Sequence, residues 1–203
     1  VNQHRLKKLH QLMGDLGYSW KGNKKIGGVI DVIDNALQAK VTEMRKSGLN
    51  IMMSMKDEAK PVSFIEDCAV ELKDLAEYTD GLNQIFDKYD TKGTWYAHAS
   101  VGCLHVRPVL NMKLQTDVSK MRNIADETSK LVKKFKGSYS GEHGDGIARS
   151  EFNEVMFGKK MINIFETIKQ AFDPDNIFNP GKIINAPKMD ARDYFRYAPS
   201  YNA

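Results

Sequence analysis

Apolar residues recur every three or four positions along much of the chain, and this spacing is typical of amphipathic helices. Leu6, Leu9 and Leu12 form one such stripe, which predicts a helix over residues 1–15. Further stripes predict helices over residues 29–46, 72–90, 117–135, 148–157 and 161–171.

Short runs of alternating apolar and polar positions between these helices predict β-strands at 62–67, 94–97, 103–106 and 137–141. Asp117 is a favourable N-cap for the long helix that follows it. We expect residues 48–60 to be irregular and the proline-rich tail, 172–203, to be extended. Strand pairs alternating with long helices predict an α+β fold with the helices on one side of the sheet.

The composition is that of a globular protein, since 41% of the 203 residues are hydrophobic and 28% are charged. It excludes a collagen, a disordered tail and a disulfide scaffold, and no apolar run approaches the ~20 residues of a membrane span. The net charge of +4 is small and dispersed, so we expect no nucleic-acid partner. Cys68 and Cys103 are typical of reduced cytoplasmic thiols. Because the chain opens at Val1 inside a helical pattern, without a Met, we expect it to be part of a longer protein.

Three of the five histidines fall in the region 98–143, where glycines are frequent. If Val101 and Gly102 form a two-residue turn, His98 faces His105 across paired strands, with Cβ atoms ~4.5–5.5 Å apart. Such a pair suits two imidazoles on one metal ion. From the spacing alone, two structural or merely exposed histidines are an equal alternative.

A later segment carries Glu142, His143 and Asp145 among three glycines, which let the backbone pass close to a ligand. Glu142 could complete a site of two histidines and one glutamate with an open coordination position, and His143 would stand beside it as a general base. Taken alone, a Gly-rich turn with solvated side chains is the more frequent alternative. Arg45 and Arg149 could each clamp a carboxylate, although a solvated arginine at a helix end is the usual outcome.

Several of these segments resemble one known family. They are 96–108 (YAHASVGCLHVRP), 140–149 (SGEHGDGIAR), 172–183 (FDPDNIFNPGKI) and 60–70 (KPVSFIEDCAV). In this order and spacing they resemble the C-terminal cap domain of FAD-linked oxidases. These are the D-lactate, glycolate and D-2-hydroxyglutarate dehydrogenases of the vanillyl-alcohol-oxidase superfamily.

The resemblance implies a ferredoxin-like antiparallel sheet with helices packed on one face. The domain would span 1–185 and lack its first strand. Residues 188–201 further resemble bacterial members in which an iron–sulfur module follows. The tail, 186–203, would therefore lead to such a module.

The resemblance also implies roles for individual residues. The ligands of a divalent ion, zinc or manganese, would be His98, His105 and Glu142. Beside them, His143 would be the base, Arg45 and Arg149 would hold the substrate carboxylate, and Asn179 would contact the cofactor. The chain departs from the family at Cys103, where many relatives have an Asn that can touch substrate. It departs again near Ile65, where some have a lysine, so substrate choice does not transfer.

The implied function is that of a flavin-dependent D-2-hydroxy-acid dehydrogenase, which oxidises a 2-hydroxy acid to the 2-oxo acid by hydride transfer to FAD. An upstream FAD-binding domain of the same protein would hold the flavin, the C-terminal module would hold 4Fe–4S clusters, and a quinone or electron carrier would accept the electrons. We expect a cytoplasmic protein that can associate peripherally with the inner membrane. Two alternatives stay open. One is a non-catalytic α+β interaction domain. The other is a stand-alone zinc hydrolase with the same three ligands and His143 or Asp145 as base.

Overall fold

The computed structural model describes residues 2–18, 27–197 and 201, and only the backbone of Leu49. The chain divides into two compact units, Val1–Ile51 and Met52–Ala203, and each is described by itself. The division of the chain at 185 stays a prediction.

The first unit is helical. Helix α1 spans Asn2–Asp15, as predicted, and has no buried residue. Helix α2 spans Asn35–Met53, so it begins and ends later than the predicted 29–46. Its start is explained by Asp34, whose Oδ1 accepts the backbone N–H of Leu37 at 2.8 Å and so caps the first turn.

The second unit combines an antiparallel sheet with helices. Its strands are β1 (Lys60–Pro61), β2 (Cys68–Ala69), β3 (Gly93–His98) and β4 (Cys103–Leu110). Its helices are α3 (Leu75–Lys88), α4 (Gln115–Lys134), α5 (Gly146–Arg149), α6 (Asn153–Phe157) and α7 (Lys159–Phe172). Short 3₁₀ turns occupy Leu72–Asp74, Ala99–Val101, Ser150–Phe152 and Arg192–Tyr194.

Strand β4 is central in the sheet. β3 pairs along one edge of it, while β1 and β2 pair along the other. Ala69 of β2 forms a further antiparallel bridge with Ser138. Along the chain, β1 and β2 together form the first strand segment, β3 the second, β4 the third and the bridge at Ser138 the fourth. Across the sheet these segments lie in the order fourth, first, third, second. With α3 and α4 as the two connecting helices, this is the ferredoxin-like arrangement, and the predicted α+β fold is confirmed.

Several local predictions for the second unit need correction, among them the helix 148–157, which is divided into α5, a 3₁₀ turn and α6. The run 62–67 is not a strand, because Asp67 has a φ of +62° and interrupts the extended backbone between β1 and β2. The run 137–141 contributes only the bridge at Ser138. Helix α4 begins at Gln115, so Asp117 is not its N-cap; instead Asp117 accepts the backbone N–H of Asn111 at 2.7 Å.

The core lies between the sheet and the helices α3 and α4. It includes Tyr78, Leu82, Leu104, Val106, Leu110, Val118, Ile124 and Val132. Successive side chains of a strand point to opposite faces, so the even-numbered residues of β4 face this core. Its odd-numbered residues, Cys103, His105 and Arg107, project from the opposite face, where the candidate site lies.

Both cysteines are free and buried. Burial raises the pKa of Cys68 to about 12, so this thiol is protonated and inert at neutral pH. Within residues 2–18 and 27–197, no helix has both the length and the apolar character that crossing a membrane requires.

Candidate active site with a metal centre

The hairpin of β3 and β4 positions two histidines on one face of the sheet. Tyr96 pairs with His105 and His98 with Cys103, so the predicted pairing of His98 with His105 is wrong by two residues. The turn is longer than predicted because Ala99–Val101 forms a 3₁₀ turn that Gly102 closes at a φ of +72°. A shift of two residues keeps each side chain on its face, and the rings of His98 and His105 lie 5.0 Å apart.

Glu142 meets both histidines from the Gly-rich loop. Its Oε1 lies 3.0 Å from His105 Nε2 and 3.6 Å from His98 Nε2. One ligand atom from each of the three side chains lies within 4.8 Å of the other two. Two imidazoles and one carboxylate are a donor set that zinc and manganese accept, so the residues present fit a divalent ion.

His143 lies beside these three residues. Its Nε2 is 3.5 Å from Glu142 Oε1, and its ring stacks on His105 with centroids 5.1 Å apart. The side chains of His98, Glu142 and His143 are each more than 40% exposed, whereas that of His105 is 5% exposed. The site therefore has a buried floor and an open side from which a small molecule can enter.

Burial favours the neutral form of His105. Burial lowers its pKa, and the carboxylates of Glu142 and Glu66 oppose this effect only in part, so the pKa lies below the usual value of 6.5. A neutral imidazole has a free lone pair at one nitrogen, which is what a metal ligand needs.

A buried ion pair fixes the Gly-rich loop. Asp67, with none of its side chain exposed, accepts the backbone N–H groups of Glu142 and His143, each at 2.7 Å, and pairs with the guanidinium of Arg149. Burial opposes ionisation of Asp67, but these donors outweigh it and hold the pKa of the carboxyl below its usual value. The loop backbone is therefore anchored at the N–H groups of Glu142 and His143, the two site residues that it carries.

The guanidinium of Arg149 is occupied by contacts within the protein. Its guanidinium also donates to the carbonyl oxygens of Glu66 and Gly144, and the residue is 8% exposed. These contacts hold the loop, and the predicted contact of Arg149 with a substrate carboxylate stays a prediction.

Besides Asp67, two further residues belong to the site but were not singled out from the sequence. Glu66 is 7% exposed, with Oε1 3.5 Å from His105 Nδ1. Arg107, two residues after His105 on β4, donates to both oxygens of Glu66. The sequence carries a signal for Glu66, which is an acidic residue inside an otherwise apolar run. A buried acid of this kind rarely lacks a partner.

The remaining predicted residues lie elsewhere. Arg45 is an exposed residue of α2 in the first unit, and its contact with a carboxylate stays a prediction. Asn179 lies in the turn after α7, where it lines a cavity of about 690 Å³ together with Asp145 and Phe178. The predicted contact of Asn179 with a cofactor is likewise untested.

Comparison with known proteins identifies close similarities. Relatives include the D-2-hydroxyglutarate dehydrogenases of Pantoea ananatis, 36% identical over 71% of this chain, and of Escherichia coli K12, 34% identical over 75%. The glycolate oxidase subunit GlcD of Bacillus subtilis is 29% identical over 70% of this chain and 30% of its own length. The chain covers only 14% and 15% of the lengths of the two dehydrogenases.

A family model covers most of the chain. The model for the C-terminal domain of FAD-linked oxidases matches residues 2–183. This range includes the three convergent donors, His143 and the loop that Asp67 anchors. The resemblance of 188–201 to members with an iron–sulfur module lies beyond the matched range and stays a prediction. The chain therefore belongs to the FAD-linked oxidase C-terminal domain family.

Proposed function

We propose that this chain forms the substrate side of the active site in a flavin-dependent 2-hydroxy-acid dehydrogenase. The reaction oxidises a D-2-hydroxy acid to the 2-oxo acid, with the flavin held by another domain of the protein. The observation that carries the proposal is the convergence of His98, His105 and Glu142 on one point, with His143 beside them. A divalent ion, zinc or manganese, supplies Lewis-acid polarisation of the substrate's hydroxyl and carboxylate oxygens when it is bound there.

His98, His105 and Glu142 would hold that ion on the open face of the hairpin. His105 contributes a buried, neutral imidazole, and Glu142 contributes the negative charge that a dication requires. Three protein ligands leave coordination positions for a substrate, which is the pattern of catalytic rather than structural sites.

His143 would take the hydroxyl proton. Its Nε2 lies 3.5 Å from Glu142 Oε1 on the exposed side of the site, so the hydroxyl of a substrate bound beside the three candidate ligands would lie near it. The hydrogen on the carbon that bears the hydroxyl leaves as a hydride to the flavin, which is the oxidant. One proton and one hydride together account for the conversion of hydroxyl to carbonyl.

The substrate is a short 2-hydroxy acid. The relatives are named for D-2-hydroxyglutarate, glycolate and D-lactate, and those named for D-2-hydroxyglutarate share the highest identities given above. We therefore place D-2-hydroxyglutarate first, with Arg45 as the candidate for its carboxylate. Membership of the family favours this reaction over a stand-alone zinc hydrolase or a non-catalytic domain.

Two substitutions in the flavin-containing holoenzyme test the proposal. We expect His98→Ala to lower the zinc and manganese content measured by elemental analysis. We expect His143→Ala to keep metal and flavin but to lower kcat for flavin reduction about 10²–10⁴-fold, the usual contribution of a placed base. Turnover is followed with D-2-hydroxyglutarate, D-lactate and glycolate.

His4→Ala, which changes an exposed histidine of α1, is the matched control and should alter neither quantity. Equal metal content in His98→Ala and the unsubstituted enzyme would reject the ligand assignment. Unchanged turnover in His143→Ala would remove this residue from the reaction.

A further inference from the structure

Helix α7 carries an apolar stripe that the described part of the chain leaves exposed. The stripe consists of four residues spaced three or four positions apart, and the helix has no buried residue. In a globular protein, a stripe of this kind normally faces a core. The exposed fractions of these four residues nevertheless lie between 38% and 85%, and the residues are Met161, Ile164, Ile168 and Phe172.

The turn after α7 extends the apolar surface. Ile177 and Phe178 are both 69% exposed. Their backbone is fixed, because Asp173 accepts the N–H groups of both residues at 2.9 Å and Lys169 donates to the carbonyl oxygen of Phe178. The two apolar side chains are thus held outward on a hydrogen-bonded turn, which is typical of contact residues rather than of a fraying segment.

Helix α7 and this turn line an apolar groove, which is the cavity of about 690 Å³ that Asn179 also lines. Contiguous exposed apolar surfaces are uncommon on soluble monomers and usually mark a binding surface. We call this surface the α7 groove. Six large apolar residues form most of its wall, and they are Phe165, Ile168, Phe172, Phe178, Ile183 and Ile184.

The α7 groove borders the candidate active site. Part of its wall is formed by Gly144, Asp145 and Gly146, which directly follow His143 in the Gly-rich loop. Any structure seated in the groove therefore contacts the same loop that carries Glu142 and His143.

The proposed function indicates which structure that is. Hydride transfer requires the substrate carbon and the flavin to approach within about 3–3.5 Å, so the flavin and the domain that holds it must reach the site beside this loop. The two dehydrogenase relatives are several times longer than this chain, which leaves length for such a domain in one protein. A second copy of the chain or a membrane surface in the α7 groove would instead occupy the approach to His143.

We propose that the α7 groove is the docking surface for the flavin-holding domain of the same protein. An apolar segment of that domain packs between α7 and the turn at Phe178, and burial of the apolar wall stabilises the contact. The shared loop then sets the flavin-holding domain beside the substrate. The identity of the partner rests on the proposed function.

Photo-crosslinking in the full-length, flavin-containing protein identifies the partner. The probe p-benzoylphenylalanine replaces Phe178 in one variant and Leu72 in another. Leu72 is the matched control, because it is 58% exposed in the 3₁₀ turn Leu72–Asp74. Peptide mass spectrometry after illumination locates the attachment points. We expect the probe at position 178 to attach to the flavin-holding domain of the same molecule and the probe at position 72 to leave that domain unlabelled.

Substitutions in the same protein give a second measurement. We expect Phe178→Asp to lower the rate constant of flavin reduction by at least about tenfold, since loss of a central interface residue commonly weakens a contact by that factor. Phe178→Leu keeps an apolar side chain and should restore most of the rate. Leu72→Asp is the control and should leave the rate unchanged. Metal content should be unchanged in all three variants, because the groove contains none of the candidate ligands.

Attachment of the probe at position 178 to a second copy of the chain, to lipid or to no protein segment would overturn the proposal, and so would an undiminished rate in Phe178→Asp. Failure of the proposed function looks different. If no 2-hydroxy acid reduced the flavin, or if His98→Ala kept its metal, the reaction or the metal site would be misassigned. Attachment of the probe to the flavin-holding domain would still support the docking surface.

Discussion

Two adjacent acidic residues contact different parts of the site. Glu66 faces the histidine rings, and Asp67 holds the backbone of the loop that carries Glu142 and His143. The left-handed φ of Asp67 separates the two side chains. A non-glycine residue in that conformation is unusual, and here the four-way bonding of Asp67 to the loop and to Arg149 maintains it.

Gly102 is the residue on which the hairpin turn depends. Its φ is +72°, and a Cβ at this position would lie 1.9 Å from the carbonyl oxygen of Val70. Gly144 has a similar φ of +79°, but nothing lies within 4 Å of its Cβ position. A substitution at Gly144 therefore measures the cost of the left-handed backbone alone. A substitution at Gly102 measures that cost together with the steric clash.

We expect Gly144→Ala to lower the free energy of unfolding by about 1–2 kcal/mol, the cost of a left-handed alanine. Gly102→Ala should cost about 1–3 kcal/mol more, because the backbone at Val70, directly after β2, must move. Urea unfolding of both variants measures the difference. Equal losses would show that the approach of Val70 to Gly102 is not a real constraint.

At the scale of elements, the β3–β4 hairpin shows what the sequence can determine. An assumed two-residue turn placed both histidines on one face, and the prediction of the face held because alternation makes it insensitive to a slip of two residues. The pairing itself depended on the turn, and Val101 was assigned to a two-residue turn although it lies in the 3₁₀ turn. The alternation of side chains along a strand thus preserved the face that the histidines share, while the backbone conformation of the turn determined which residues pair.

The turn after α7 is organised by a single carboxylate. Asp173 accepts the backbone N–H groups of Ile177 and Phe178, each at 2.9 Å, and pairs with Lys169. The bond from Lys169 is the largest cause of a pKa below the usual value, and the two backbone donors add to it against the opposing effect of burial.

A lowered pKa in the folded state means that ionised Asp173 stabilises the fold. That stabilisation is fully present above the unfolded-state pKa of about 3.9 and is lost as the pH falls through the folded-state pKa. We expect Asp173→Asn to lower the urea midpoint at pH 7, and the difference from the unsubstituted chain to shrink below about pH 4. The exposed Asp175, changed to Asn, is the control. A difference that is constant with pH would show that the charge of Asp173 is not what stabilises the turn.

At the scale of the whole molecule, the fold and the cluster of candidate metal ligands were accessible from the sequence, but the contacts that support that cluster were not. Periodicity predicted the main helices, and the family motifs singled out His98, His105 and Glu142 as candidate ligands, which the structure brings together. Glu66 and Asp67 were missed because their partners are distant along the chain and become neighbours only when the sheet forms. The long range of those contacts, rather than any lack of signal, limited the prediction.

The distribution of buried side chains predicts which parts of the protein unfold locally and which unfold only with the core. The core residues lie between Phe64 and Met189, whereas α1 has no buried residue. Amides of α3, β4 and α4 should therefore exchange with solvent only through unfolding of the core, while those of α1 exchange through local fraying. Hydrogen exchange resolved along the chain measures both.

Zinc provides the decisive comparison in that experiment. Zinc at a hundredfold excess over its dissociation constant stabilises the form that binds it by about 2.7 kcal/mol, which slows core exchange about a hundredfold. We expect this slowing in α3, β4 and α4 of the unsubstituted chain and none in His98→Ala, because the variant lacks one of the three proposed ligands. The amides of α1 should exchange at the same rapid rate throughout, since their opening does not require the core to unfold. Slowing of the core that persists in His98→Ala would place the zinc at a different site.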